Sequence, residues 1–189
     1  MYTNELKPTV WAFPRRGNWA THKSDWRGNW APEVVRNLIL RYSEEGDILL
    51  DSMIGGGTTA IEAKILNRHI VCTDVNDEAL ERTKASLDFD AGNKSKQKIY
   101  KCDSRDLNDV KNNSIDFVLT HPPYADIISY GEGKISADLS NIHDLDVFAD
   151  EMEKVAKEFY RVLKSGKFCA ILMGDTRRQK MYQPLAFKV

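Results

Sequence analysis

Short apolar segments alternate with amphipathic segments of helical period along most of this 189-residue chain. The apolar segments begin near Asp47, His69, Lys98, Ile115 and Phe168, and helices are predicted between most of them. Short buried strands that alternate with helices form a mostly parallel sheet with helices on both faces. The alternation therefore predicts an α/β domain of the Rossmann-like type.

The length of the chain is enough for one domain with a sizeable core, so residues 1–189 are predicted to form a single domain. Residues 1–31 are rich in Trp, Gly, Asn and Arg and lack a clear period, which predicts an ordered loop. Pro32 then opens a helix, as a proline in the first turn often does. Residues 145–163 are predicted to form a long helix, and residues 181–189 resemble the beginning of another.

The net charge of −1 is unevenly distributed. Residues 1–41 hold seven Lys and Arg against three Asp and Glu, and residues 161–189 hold seven against one. The two ends can therefore form a basic face for a polyanion, although scattered solvated charge explains the counts equally well. No apolar run approaches the roughly 20 residues that span a bilayer, and no signal peptide is evident, so a cytoplasmic protein without a membrane partner is expected.

The three cysteines lie in or next to apolar runs and are predicted to be reduced core residues. The four histidines are dispersed, so no metal site is predicted.

Polar and special residues follow each predicted strand. Asp51 and a glycine cluster follow the first strand, Asp74 ends the second, Asp103 and Ser104 follow the third, and a loop beginning at His121 follows the fourth. In open parallel sheets, ligands bind beyond the carboxyl ends of the strands. A site is therefore predicted at this edge of the sheet.

Residues 51–59 (DSMIGGGTT) join a strand to a helix. Glycines there allow unusual backbone angles and the close approach of a ligand. Gly55, Gly57 and Ala60 also match the spacing of the dinucleotide fingerprint, with Asp74 where the ribose-binding acid belongs. A nicotinamide dinucleotide, S-adenosylmethionine (AdoMet) and a tight turn without a ligand all fit this pattern.

Asp51 favours AdoMet, because a carboxylate at the entrance of the loop disfavours a pyrophosphate and attracts an ammonium group. Asp74 can accept hydrogen bonds from both ribose hydroxyls, and Asp103 can accept one from the adenine amino group. Each aspartate alone is more often a cap or turn residue. Three of them at successive strand ends indicate a cofactor site.

Residues 120–124 (THPPY) follow an apolar strand. Two prolines fix the backbone and remove N–H donors, so the carbonyls remain free to accept hydrogen bonds. Such acceptors can hold the N–H groups of an exocyclic amine, and Tyr124 can stack on a base that has left the duplex. A rigid loop with a partly buried tyrosine is the alternative.

These two motifs resemble those of the DNA amino-methyltransferases. Residues 51–59 are similar to the family's AdoMet motif, Asp-Pro-Phe-x-Gly-x-Gly-Thr-Thr, and residues 120–124 to its catalytic motif, (Asp/Asn/Ser)-Pro-Pro-(Tyr/Phe/Trp). Residues 26–32 (WRGNWAP) resemble the additional motif that closes over the methionine part of AdoMet. The likeness covers residues 13–187 and implies the AdoMet-dependent methyltransferase fold, with AdoMet as cofactor and S-adenosylhomocysteine as product.

The resemblance implies two sets of site residues. The catalytic set is Thr120, His121, Pro122, Pro123 and Tyr124. The cofactor-binding set is Trp26, Arg27, Gly28, Asn29, Asp51, Ser52, Met53, Gly55, Gly57, Thr58, Thr59, Asp74, Val75, Asp103 and Ser104.

The chain departs from the family pattern at two places. Ser52 and Met53 replace Pro-Phe, and His121 stands where Asp, Asn or Ser is usual. A neutral imidazole can accept one hydrogen bond, and protonation removes this acceptor. Activity is therefore expected to decrease at pH values below about 6.5, the reference pKa of histidine. Thr120 resembles the corresponding residue of cytosine-N4 enzymes more than that of adenine-N6 enzymes.

The resemblance implies DNA as partner, with a base flipped from the duplex, and a restriction-modification role. The family's C-terminal hairpin and target-recognition region are not evident, so the sequence is expected to be truncated and to form a homodimer or dissolve poorly. An RNA guanine-N2 methyltransferase, a non-catalytic relic that binds AdoMet or nucleic acid, and a nicotinamide-dependent oxidoreductase remain as alternatives.

Overall fold

The computed structural model describes residues 10–128, 130–131, 133–178 and 180–189. The helices are α1 (Pro32–Tyr42), α2 (Thr58–Ile65), α3 (Asp77–Ser86), α4 (Leu145–Val162) and α5 (Leu185–Lys188). The strands are β1 (Ile48–Asp51), β2 (His69–Asp74), β3 (Gln97–Lys101), β4 (Ile115–Thr120), β5 (Leu163–Ile171), β6 (Thr176–Arg178) and β7 (Met181–Gln183). Two short 3₁₀ turns cover Ala125–Ile127 and Leu139–Asn141.

Five strands form one sheet in the order β3-β2-β1-β4-β5, and every neighbouring pair in it is parallel. Leu49 of β1 lies opposite Ile70 on one side and Phe117 on the other. The strand order reverses between β1 and β4, so the carboxyl ends of these two strands flank the switch point where ligands of such sheets bind. The predicted Rossmann-like α/β fold is confirmed.

Helices cover both faces of this sheet. One core cluster joins α1, α2 and α3 to the sheet through Ile39, Leu80 and Phe117. The other joins α4 to the opposite face through Phe148, Val155 and their neighbours. The predicted apolar stripe of α4 is buried as expected, because its residues recur every three or four positions and therefore lie on one side of the helix.

Several boundaries differ from the sequence prediction. The third helix ends at Ser86 rather than near residue 90. Residues 181–183 form a strand that pairs with β6 in a separate two-stranded hairpin, so the predicted helix begins only at Leu185. Asp175 holds this arrangement, since its carboxylate accepts hydrogen bonds from the Tyr182 hydroxyl and from the backbone N–H of Ala186 at 3.0 Å.

The outer strand of the sheet, β5, has no partner strand on its far side among the described residues. Phe168 on this strand is 53% exposed, and Ile171 and Cys169 are exposed as well. Of the three cysteines predicted to be core residues, only Cys72 is fully buried, because Cys169 lies on this uncovered edge. In the part of the chain that the structure describes, no helix is long and apolar enough to cross a membrane.

Candidate active site

The glycine loop between β1 and α2 adopts the conformation that its sequence predicts. Gly55 and Gly57 have φ angles of 51° and 83°, in the left-handed region that favours glycine. Gly56 is required for another reason: a Cβ atom there would lie 2.7 Å from Trp26 Cβ and 2.8 Å from Asn29 Nδ2. The loop therefore allows the segment around Trp26 to lie directly on it.

Glu62 of α2 holds the N-terminal segment in place. Its fully buried carboxylate lies 2.7 Å from His22 Nε2 and accepts hydrogen bonds from Trp19 Nε1 and Arg36 Nε, each at 2.6 Å. The Arg36 guanidinium also stacks over the Trp19 ring. Because a buried charge is stable only when it is paired and hydrogen-bonded, this cluster fixes the N-terminal segment to the helix that follows the glycine loop.

Asp51, which is buried, ends β1, and Asp74, which is half-buried, ends β2; among the described residues, neither carboxylate accepts a hydrogen bond from a cation. Asp51 accepts hydrogen bonds from Thr120 Oγ1 at 2.7 Å and from Met53 N at 3.1 Å. Asp74 accepts them from Gly55 N at 3.0 Å and Asn76 N at 2.9 Å. Burial raises the pKa of each carboxyl group to about 6, and the hydrogen bonds that it accepts offset part of this effect.

Asp103 is in a different environment at the end of β3. The guanidinium of Arg105 donates to both of its carboxylate oxygens, at distances of 2.6 to 3.1 Å, and also to Glu151. The hydrogen bonds that Arg105 donates to Asp103 raise the pKa of Arg105, which stays charged. The neighbouring Ser104 hydroxyl donates to the Ser52 carbonyl at 2.7 Å and is buried.

The loop after β4 begins with Thr120, whose hydroxyl is bonded to Asp51, and continues with His121 and two prolines. His121 Nε2 lies 2.7 Å from the Tyr124 hydroxyl, and its ring centroid lies 5.7 Å from that of Trp30. Burial lowers the pKa of His121 to about 4, and a hydrogen bond with the Gly28 backbone opposes the shift. The expectation that His121 titrates near 6.5 is therefore wrong for this structure, because the imidazole is removed from water.

These elements enclose a pocket beyond the carboxyl ends of β1, β2 and β4, with a volume of about 70 Å³. Eight of the predicted residues line it: Trp26, Gly28, Asn29, Met53, Gly55, Asp74, His121 and Pro123. A small adjoining cleft is lined by Pro122 and Tyr124, together with Gly28, His121, Ile127, Ile128 and Tyr130.

The other predicted cofactor residues do not line the pocket. They are Arg27, Asp51, Ser52, Gly57, Thr58, Thr59, Val75, Asp103 and Ser104. Two of them contact residues that hold the pocket lining in place. Thr58 Oγ1 donates to Asn29 Oδ1, a lining residue, at 3.0 Å. Gly57 precedes α2 at a position where a Cβ atom would lie 2.9 Å from Ser86 Oγ.

Six residues that were not predicted also line the pocket: Trp30, Ile54, Gly56, Asn76, Tyr130 and Asp138. The first four lie within or next to motifs that the sequence analysis identified, so their position in the sequence could have indicated that they line the pocket. Tyr130 and Asp138 lie in the segment after the Pro-Pro-Tyr loop, where no motif or period marks them. The Tyr130 ring is nearly parallel to that of Trp26, with centroids 6.0 Å apart and an interplanar angle of 14°.

Among the residues that the structure describes, no group of three His, Cys, Asp or Glu side chains is arranged to hold a metal ion.

Residues 3–85 match the DNA methylase family of N6 and N4 methyltransferases. Over 81 residues the chain is 37% identical to the Type II methyltransferase M.HpaI of Haemophilus parainfluenzae, a match that covers 41% of this chain and 26% of that protein. The chain thus spans about a quarter of the length of this curated relative.

Solved structures of low sequence identity share the fold. A SAM-dependent methyltransferase from Methanosarcina mazei has a TM-score of 0.53 at 20% identity, covering 71% of this chain and 55% of its own. TrmN from Thermus thermophilus has a TM-score of 0.54 at 20% identity, covering 77% of this chain and 39% of its own. The sheet described above therefore has the Rossmann-like architecture of the methyltransferases.

Proposed function

We propose that this chain transfers a methyl group from AdoMet to an exocyclic amino group of a DNA base, on the premise that the match of residues 3–85 to the DNA methylase family reflects its activity. The observation that carries the proposal is the meeting of three elements at one pocket. The glycine loop, the carboxylate of Asp74 and the Pro-Pro-Tyr loop all border it, beneath the segment around Trp26 and Gly28.

The residues of the pocket fit an adenosyl cofactor. Gly55 and Gly56 allow the glycine loop and the segment around Trp26 to lie close together, because a Cβ atom at either glycine would lie within 3 Å of Trp26. Among the described residues, each oxygen of Asp74 accepts one backbone N–H, so the carboxylate keeps lone pairs for the ribose hydroxyls. AdoMet supplies an electrophilic methyl group when it is bound. Because the cavity is smaller than the roughly 300–1,000 Å³ of ligand pockets, Trp26 and Tyr130 would separate on binding.

The target base would enter from the cleft that Pro122, Tyr124 and His121 line. Tyr124 would stack on the base, and the Pro122 carbonyl would accept one N–H of the amine. His121 is neutral near pH 7, since burial lowers its pKa to about 4. Its Nε2 would accept the second N–H in exchange for the Tyr124 hydroxyl that it contacts at 2.7 Å. Positioned acceptors of this kind contribute by orienting the amine, without a covalent enzyme intermediate.

The charge near this cleft supports a nucleic-acid target. Arg178 of the β6–β7 hairpin pairs with Asp126 in the 3₁₀ turn after Tyr124 and also donates to the His143 carbonyl. The same hairpin carries the exposed residues Arg177 and Lys180. These two cations are thus tethered close to the cleft, where they can contact phosphates.

We propose cytosine N4 ahead of adenine N6, on the resemblance of Thr120 to the cytosine-N4 enzymes. The structure gives Thr120 no direct part in base selection, because its hydroxyl is buried and donates to Asp51.

Mass spectrometry of nucleosides tests the proposal. The purified chain is incubated with AdoMet and unmethylated DNA, and the digested DNA is analysed for N4-methylcytosine and N6-methyladenine. We expect N4-methylcytosine from the wild type and from Lys157→Ala, a control variant whose exposed side chain on α4 pairs with Glu153. Methylguanine in a parallel RNA sample would favour the RNA alternative, and AdoMet binding without any methylated nucleoside would favour the non-catalytic one.

We also propose that the uncovered edge of β5 supports association of two copies. An edge strand that exposes Phe168 and unpaired backbone groups is prone to pair with another strand. Light scattering tests this: we expect a dimer for the wild type and a monomer for Phe168→Lys.

A further inference from the structure

Asp138 is a buried carboxylate that faces the pocket with one oxygen unused. It is only 7% exposed and lies among the residues that line the pocket. Its Oδ1 accepts a hydrogen bond from Ser140 N at 2.8 Å and caps the turn Leu139–Asn141. Its Oδ2 is inaccessible to solvent and has no hydrogen-bond partner among the described residues. Leaving such an oxygen without a donor is costly, so a ligand that brings a donor would be favoured.

Two residues that precede Asp138, Tyr130 and Ala137, are hydrogen-bonded to residues just beyond two strand ends. Asn76, just beyond β2, donates from Nδ2 to the Tyr130 carbonyl at 3.3 Å. Arg105, just beyond β3, donates to the Ala137 carbonyl at 3.1 Å. Tyr130 is therefore held near Asp74, and Ala137, which precedes Asp138, is held near the Asp103–Arg105 pair.

The nearby cation does not neutralise Asp138. The Arg105 guanidinium makes its hydrogen bonds with Asp103, Glu151 and the Ala137 carbonyl. The negative charge of Asp138 instead acts on the pocket, where it adds to the effect of burial in raising the pKa of Asp74 and of Tyr130. Asp138 Oδ2 is therefore a hydrogen-bond acceptor that a donor group of a ligand can satisfy.

We propose that Asp138 Oδ2 accepts a hydrogen bond from the adenine amino group of the cofactor, the role that the sequence assigned to Asp103. This inference rests on the proposed use of AdoMet. Both oxygens of Asp103 are held by Arg105, and the residue does not line the pocket. Asp138 lies in the same pocket as the parallel rings of Trp26 and Tyr130, and a planar ring with an amino substituent suits an acceptor beside two such rings.

Isothermal titration calorimetry with two nucleosides tests the assignment. S-adenosylhomocysteine carries the amino group, and S-inosylhomocysteine carries an oxo group in its place. We expect the wild type to bind the first about tenfold more tightly than the second, as for the loss of one hydrogen bond to a charged acceptor. Asp138→Asn should bring the two affinities within about threefold, because its amide can donate to the oxo group.

The variants separate this role from structural effects. Asparagine keeps the cap of the turn at Leu139, and Asp138→Ser, which also caps but is too short to reach the ligand, should lose the preference too. Asp144→Asn changes an equivalent cap, at the start of α4 and away from the pocket, and should keep the tenfold preference.

Two results would overturn the inference while AdoMet use stands: a wild type that binds both nucleosides equally, or a preference that Asp103→Asn abolishes and Asp138→Asn leaves intact. A wild type that binds neither nucleoside would overturn the proposed function, and this inference with it.

Discussion

The two sides of the pocket are built differently. On the side of β1 and β2, Asp51 is buried and Asp74 half-buried, and among the described residues both accept hydrogen bonds only from hydroxyl and backbone groups. On the side of β3 and β4, polar side chains are paired with one another, as Asp103 is with Arg105 and His121 with Tyr124. Carboxylates at equivalent strand ends thus differ in whether a cation has been placed beside them.

Among the carboxylates, the difference separates those that can bind a ligand from those that stabilise the fold. A carboxylate that is buried without a cation has a raised pKa and gains from a ligand that donates hydrogen bonds or carries positive charge. A carboxylate whose two oxygens both accept hydrogen bonds from an arginine has few lone pairs left for a ligand. We therefore expect substitutions on the β1–β2 side to change ligand affinity more than substitutions at the end of β3.

The largest expected effect tests how firmly the β1–β2 side is anchored. Glu62→Ala removes the carboxylate on which Trp19, His22 and Arg36 converge, and leaves their donors buried without an acceptor. We expect the free energy of unfolding to fall by about 3–5 kcal/mol, as when one partner of a buried ion pair is removed. Urea denaturation followed by circular dichroism measures it.

Glu78→Ala is the matched control for that substitution. Glu78 pairs with Arg82 on the exposed surface of α3, where an ion pair contributes about 0–1 kcal/mol. Equal effects of the two substitutions would show that the Glu62 cluster does not anchor the N-terminal segment.

The second prediction concerns ligand affinity on the same side. Asp74→Ala should weaken binding of S-adenosylhomocysteine by about 1–3 kcal/mol, the cost of losing charge-assisted hydrogen bonds to the ribose. Calorimetric titration measures the change. Asp77→Ala, three residues further on and paired with Lys101 on the surface, serves as control and should bind like the wild type. An unchanged affinity for Asp74→Ala would remove this residue from the site.

A third prediction follows from the raised pKa of Asp74. Ligand affinity should fall by up to about tenfold per pH unit below pH 6, because protonation removes the negative charge and turns an acceptor oxygen into a donor. His121 should not titrate in this range, since burial lowers its pKa to about 4. Titrations between pH 5 and pH 8 measure the profile, and the decline should be absent in Asp74→Asn. A decline that persists in that variant would assign it to another group.

The same raised pKa values have the opposite consequence for stability. In the folded state Asp51 and Asp74 bind protons between their ordinary pKa of 3.8 and about 6, where the unfolded chain has lost them. The stability that these two groups contribute is therefore complete below about pH 4 and is lost as the pH rises through 6. Affinity and stability change in opposite directions over this window, so the two measurements check each other.

The fourth prediction compares two substitutions of one residue on the β3–β4 side. Tyr124→Ala should slow single-turnover methyl transfer by the equivalent of about 1–3 kcal/mol, through lost stacking on the base. Tyr124→Phe keeps the ring and removes the hydroxyl that contacts His121 Nε2, so transfer should be as fast as in the wild type or faster. Neither should alter the affinity for S-adenosylhomocysteine. If the phenylalanine variant is as slow as the alanine variant, the hydroxyl rather than the ring is required.

Much of the fold could be predicted because local patterns determine it. The bounds of α1, β2 and β4 agree with the sequence prediction, since each has a clear apolar period or a terminating residue such as Pro32. The β6–β7 hairpin could not be predicted. Asp175 fixes it by accepting hydrogen bonds from the Tyr182 hydroxyl and the Ala186 backbone N–H, and no hydrophobic periodicity in the sequence indicates these contacts.

The candidate site divides in the same way. Residues such as Gly55 and Asp74 were predicted because a motif fixes their position relative to a strand end. Arg105 and Asp138 were not, because their effects depend on contacts across the fold: Arg105 donates to Glu151 on α4, and Asp138 lines the same pocket as Asp74. A sequence motif locates a carboxylate but does not show which cation or which cavity lies beside it.

The smallest expected effect is the most direct test of the comparison. Asp103→Asn removes a charge at a strand end equivalent to that of Asp74, and the resemblance to the amino-methyltransferases assigned it a cofactor contact. Because Arg105 holds both oxygens and Asp103 is outside the pocket lining, we expect the affinity for S-adenosylhomocysteine to stay within about threefold of the wild type. The free energy of unfolding should fall by about 1 kcal/mol or less, as for a partly exposed ion pair, since Arg105 keeps Glu151 as a partner. Calorimetry and urea denaturation on the same preparation measure both quantities. An affinity loss as large as that of Asp74→Ala would show that Arg105 releases Asp103 when the ligand binds, and the contrast between the two sides of the pocket would then not hold in the complex.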